Sequence, residues 1–186
     1  ENELSGMRID MSKAEQAYER SIAAVSIVDD YIRDVTGNPT LNVGSNKQLA
    51  PALESVGILD TSALRKTDKG NLSMDKDSLS GALPDKWVSL VNYRRNLLTT
   101  ANTFIKNWLE QGYRTGGIIH TSWNQVAQER KGHGVGTRTG RFSSEPSFLN
   151  IPKRSGATTA PEGLSEMVGY QLPPVPYVRE LVIPWE

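Results

Sequence analysis

Between Arg114 and Arg154 the sequence gathers Arg114, Arg130, Lys131, Arg138, Arg141, Lys153 and Arg154 against two acids, Glu129 and Glu145, a local excess of +5. The whole chain is neutral, with 21 basic and 21 acidic residues, so it is electrically polarised. Clustered Lys and Arg among Gly, Ser and Asn suit a polyanion: the side chains pair with phosphates, and backbone N–H groups can approach closely. On charge alone, a solvated loop of ordinary basic content fits as well. Gly132-His133-Gly134-Val135-Gly136 resembles a phosphate cradle only in its glycines. A P-loop needs Lys-Ser/Thr and a helix after the last glycine, and here Thr137-Arg138-Thr139 follows. A dinucleotide fingerprint needs a strand–glycine–helix unit with an acid downstream, and the residues after Gly140 are not helical in pattern. A flexible basic loop is the simpler reading.

Carboxylates that could do metal or acid–base chemistry are sparse. Asp29-Asp30 is the one close acid pair, and its place in a helical pattern predicts a solvated pair. No Ser/His/Asp order with workable spacing is visible. His120 is one of two histidines and has no ligand set near it in sequence, which makes it a structural hydrogen-bonder. Trp123 reads as packing. The absence of cysteine excludes disulfides and thiolate metal sites and fits a reducing cytosol.

A chain of 186 residues suffices for one ordinary domain, or one plus a small satellite. With 23% charged and 37% hydrophobic residues, most of it should fold. No apolar run approaches the ~20 residues that span a bilayer, and no basic-then-apolar leader opens the chain, so neither membrane nor secretion is expected.

The elements that must position these groups are mostly helical. Ser12 to Glu15 has capping-box spacing. Ala14, Tyr18, Ile22, Val25, Val28, Ile32 and Val35 follow on one helical face, with Gly37 as a stop. Ser45 to Gln48 repeats the capping-box form ahead of Leu49, Ala52, Leu53 and Val56; Pro51 should kink or limit this helix, and Gly57 closes it. Residues 60–72 read as a polar loop, and Ser73 as the cap of a short helix carrying Met74 and Leu79. Asp85 is the predicted N-cap of a long helix with Trp87, Leu90, Val91, Leu97, Leu98, Ala101, Phe104, Ile105 and Trp108 on one stripe, ending at Gly112. The two long helices should pack antiparallel, since neither buries its stripe alone. Ile118 to Val126 reads as a strand, and Tyr177–Ile183 as another. The Pro-rich tail from Ser143 to Pro184 should need other structure to pack against. The predicted class is mainly α with a small β portion (α+β), divided into a helical region, 1–113, and a loop-rich region, 114–186.

One stretch adds a resemblance. Thr139-Gly140-Arg141-Phe142-Ser143-Ser144-Glu145-Pro146-Ser147-Phe148-Leu149-Asn150-Ile151-Pro152-Lys153-Arg154 resembles the family A DNA polymerase signature T-G-R-L-S-S-x-x-P-N-L-Q-N-I-P-x-R. Leu4 to Asp10 is similar to that family's L-x-G-x-x-I-D, Asn42 to Leu49 to its N-x-x-S-x-K-Q-L, and Ile119 to Gln125 to its I-H-T-S-F-N-Q. Tyr93-Arg94 sits where the family has Tyr-Arg on a long helix.

The resemblance implies a thumb and the start of a palm. It makes Arg141 the side chain that reaches the minor groove at the primer terminus, with Thr139 beside it. Arg154 would sit near the phosphates of the incoming dNTP, with Asn150 lining the same region. His120, Thr121, Ser122 and Gln125 would run beside the primer–template DNA. Thumb grip would come from Arg94, Arg95 or Lys106, because the family's lysines after Tyr-Arg are replaced by Leu97, Leu98, Thr99 and Thr100. The signature is one residue shorter between Ser144 and Asn150, and Ser147 and Leu149 replace the usual Asn and Gln. Residues 127–136 are an insertion of the kind that suggests a phage-type enzyme, hence the host cytoplasm. The family uses two Mg2+ ions on aspartates, which should lie beyond Glu186 in the remaining palm and fingers, in cis or on a second chain. The chain alone should therefore be inactive. The alternative is a non-catalytic helical DNA-binding or scaffold protein.

Overall fold

The computed structural model describes residues 6–66, 70, 72–124, 143–146, 148, 151 and 158–184, with backbone only at 123, 124 and 143. Strand β1 (Met7–Ile9) leads into helix α1 (Met11–Thr36), followed by α2 (Asn46–Ser55), a 3-10 turn (Thr61–Ala63) and α3 (Lys76–Ala82). Helix α4 (Asp85–Thr99) continues through a π-helical turn (Thr100–Ile105) into α5 (Lys106–Thr115). The remaining elements are β2 (Ile118–Ile119), β3 (Ser122–Asn124), β4 (Ser143–Glu145), α6 (Leu164–Val168), a 3-10 turn (Val178–Leu181) and β5 (Val182–Ile183). The α+β expectation holds, with helices dominant and short antiparallel strands. Among the described residues no helix is long and apolar enough to cross a membrane.

The chain forms two compact units that interleave along the sequence. One comprises residues 1–22, 97–158 and 174–186, and the other residues 23–96 and 159–173.

In the first unit β1 is the central strand of the order β2–β1–β5. Met7 pairs with Ile119, and Arg8 with Ile183. Below the sheet Ile9, Ala14, Ala17, Phe104, Ile105, Trp108, Ile119, Phe148, Val178 and Leu181 form one buried cluster. The tail thus finds its packing partner within the chain: Val178 and Leu181 enter this core, and Asp10 N–H donates to Leu181 O at 2.8 Å.

In the second unit Val28, Ile32, Leu49, Leu53, Leu79, Leu90 and Val91 are buried, and Tyr31 lies 5.7 Å from Trp87 between ring centroids. Tyr31 meets Trp87 while Asp29 meets Arg94, so partner numbers fall as those of α1 rise, and the two helices run antiparallel here.

Helix boundaries differ from the sequence expectations for identifiable reasons. Asp10, not Ser12, caps α1: its Oδ1 accepts from Lys13 N–H at 3.0 Å, and that bond lowers the Asp10 pKa. Ser45 is the N-cap of α2 without a side-chain bond, because the Gln48 Oε1 instead accepts from Asn42 N–H at 3.0 Å. The helix runs through Pro51, held by the burial of Leu49 and Leu53. Asp75 caps α3, accepting from Ser78 N–H at 2.7 Å, with the Ser73 hydroxyl donating to its other oxygen at 2.6 Å. Pro84 O takes the first bonds of α4, from Trp87 and Val88, so Asp85 is already helical.

Gly112 is a close-approach residue rather than a stop: a Cβ there would overlap the Met11 thioether. The helix ends three residues later, where Gly116 takes φ +67. On α1 the buried stripe runs through Ala17, Ser21 and Ala24, leaving Ile22 38% exposed.

Candidate nucleic-acid interface

The Ile118–Val126 segment, predicted as a single strand, splits. Ile118 and Ile119 belong to the sheet with β1, and two residues later the chain enters a second ladder. There Ser122 pairs with Glu145, Trp123 with Ser144 and Asn124 with Ser143, antiparallel. The segment containing His120, Thr121 and Ser122 therefore lies beside the Ser143–Glu145 part of the Thr139–Arg154 stretch. Sequence alone predicts the first strand but neither β4, which lies in the Pro-rich tail, nor the pairing, because a three-residue ladder carries no periodicity.

Helix α5 holds this ladder from one side. Phe148 stacks on Trp108, with centroids 4.9 Å apart and planes at 13°. Its N–H donates to the Ser144 hydroxyl at 3.0 Å, which folds the chain back after β4. Gln111 donates its side-chain N–H to His120 O at 3.1 Å. The Thr115 hydroxyl donates to Gln111 O at 3.1 Å and also to Ile118 O. Asn107, Glu110, Gln111 and Arg114 face Glu145 and Pro146 across a groove of about 310 Å³. His120 and Ser122 are exposed, and Thr121 is buried.

Gln125, Thr139, Arg141, Asn150 and Arg154, together with the glycine-rich loop, lie outside the described residues. Arg94 corrects its sequence expectation. It is 8% exposed and grips both oxygens of Asp29, Nη2 lying 3.0 Å from Oδ2 and Nε bonding Oδ1. A guanidinium held this way ties α4 to α1 and is not presented to a phosphate, and Asp29 is not half of a solvated pair. Asp30 bonds Arg33 at 2.9 Å instead.

Arg95 is also drawn in, donating to Met74 O and, at 3.2 Å, to Asn46 Oδ1. Burial, then the Arg94 charge, lower its pKa, opposed by Asp75, yet a guanidinium stays cationic. Tyr93 is buried, and burial pushes its hydroxyl up to about 12. Lys106 is exposed and lies 3.9 Å from Glu110.

Among the described residues no three acidic or histidine side chains converge as a metal-binding group would require. The described residues do not fit a two-metal centre.

The fold matches the POL domain of Pol1 from M. smegmatis, solved in complex with DNA primer-template and dNTP, at a TM-score of 0.62 and 24% identity. The match covers 82% of this chain and 25% of that one. No curated protein matches the chain. The family model for DNA polymerase family A matches residues 11–162, and the chain belongs to that family.

Proposed function

We propose that the chain is the primer–template-gripping part of a phage-type, template-directed DNA polymerase: thumb helices followed by the first stretch of palm. The β3–β4 ladder carries this reading, because it sets side by side two segments that each resemble a different motif of the family. Family membership supports it independently.

In this reading His120, Ser122 and Gln125 run along the duplex, with Thr139 and Arg141 at the primer terminus. A minor-groove contact checks pairing geometry rather than sequence, since the groove's acceptors are nearly degenerate. Asn150 and Arg154 face the incoming dNTP, where a guanidinium offsets phosphate charge. Mg2+ would be held by carboxylates supplied by sequence or a chain beyond residue 186, where it would supply charge stabilisation for phosphoryl transfer. The setting is the cytoplasm of the host.

The test is Arg141→Ala in the chain reconstituted with the portion carrying those carboxylates. Primer extension should fall roughly tenfold or more while duplex affinity changes about threefold or less. Equal losses of extension and affinity would contradict a role at the primer end.

A further inference from the structure

Gln111 touches both halves of the candidate interface. Its amide N–H bonds the carbonyl of His120, and its side chain lines the groove opposite Glu145 and Pro146. His120 is the residue at which the chain leaves the β2–β1–β5 sheet, one residue before β3 begins after Thr121. Gln111 bonds this carbonyl from helix α5, and its own Oε1 is buried with no hydrogen-bond partner among the described residues, where an unpaired acceptor is costly. The side-chain N–H donor is therefore fixed on His120.

We propose that Gln111 is a positioning residue: by clamping the His120 corner to α5, it sets the path of β3 beside β4 and so presents His120 and Ser122 to DNA. The inference rests on the reading of this face as a primer–template surface. It extends that reading to a residue outside the motifs that resemble the family.

Three variants of the purified chain test it by fluorescence anisotropy with a recessed primer–template. Gln111→Leu removes the donor and should weaken Kd roughly five- to tenfold. Gln111→Glu should weaken it similarly at pH 7.5, where the carboxylate cannot donate. Lowering the pH to about 4.5 should restore binding relative to wild type at the same pH, as the new carboxyl regains its O–H. The charged and titratable groups around it are Glu110 and Arg114 on its own helix, Glu145 across the groove and His120 at the bonded corner, all of which wild type shares. A control, Gln16→Leu, at an exposed glutamine of α1 outside the groove, should leave Kd unchanged.

Amide hydrogen exchange gives a readout independent of DNA. Gln111→Leu should speed exchange at Thr121–Asn124 while α1 and α4 keep their protection. Unchanged exchange there, or wild-type affinity in Gln111→Leu, would overturn the proposal. Failure of the wild-type chain to bind primer–template, with faster exchange in the variant, would instead sink the functional reading and leave the clamp standing.

Discussion

In the unit of residues 23–96 and 159–173 Arg94 and Arg95 turn inward, whereas the unit containing β3 and β4 keeps several polar and charged side chains exposed. Arg94 is locked on Asp29 and Arg95 on Met74 O and Asn46, while Arg114, His120, Ser122 and Glu145 all remain solvent-facing. A motif such as Tyr93-Arg94 identifies a place on a helix without stating which way the side chain faces. An Arg six residues before the π-helical turn is as available to a carboxylate on a neighbouring helix as to a phosphate. The lesson is that residues carrying a family resemblance divide into those that build the scaffold and those that meet the ligand. Burial and pairing make the division.

The sharpest way to break this contrast is at Asp29. Asp29→Ala leaves a guanidinium buried without its counter-charge and should cost about 3–5 kcal/mol in urea unfolding. If Arg94 were instead a phosphate ligand, Asp29→Ala would barely change stability and would tighten DNA binding. Phe148→Ala tests the other unit. Losing the ring stacked on Trp108 should cost about 3 kcal/mol and loosen the return after β4, weakening primer–template binding beyond what stability loss alone explains. Phe148→Leu, which installs the family's residue, should retain most of both properties.

The smallest effect is acid sensitivity at a helix cap. The Ser73 hydroxyl and the Ser78 N–H hold the Asp75 pKa at about 2, below the ordinary 3.8. A depressed carboxylate contributes stability that is fully present above about pH 4 and is lost as the pH falls towards 2. Asp75→Asn should flatten the acid limb of an unfolding curve in that window, without change at pH 7 in its slope against pH.

Much of the architecture was legible because periodicity reports it. The α1 and α4 stripes, the stops at Gly37 and Gly57 and the antiparallel pairing all follow from spacing. Caps were misplaced where two candidates stood close together: Asp10 outcompetes Ser12 because its carboxylate reaches Lys13 N–H directly. Gly112 was mistaken for a terminator because sequence cannot distinguish a glycine that permits a turn from one that admits a neighbour, here Met11. In the candidate interface, motif resemblance points to His120, Thr121 and Ser122, whose segment pairs with Ser143–Glu145. Gln111 was missed, since a glutamine on a polar helix face gives no signal until its partner carbonyl is in place. The Phe148–Trp108 stack was missed for a similar reason: both residues read as apolar, and their meeting is a long-range event.

In the proposed function, β3 and β4 together form a surface for primer–template DNA. The most direct test is the affinity of the purified chain for a recessed primer–template against a blunt duplex of equal length, followed across a salt series. The account predicts tighter binding to the recessed end and a steep loss of affinity with salt. Equal affinity for both at every salt concentration would contradict it and favour a helical scaffold that holds any duplex.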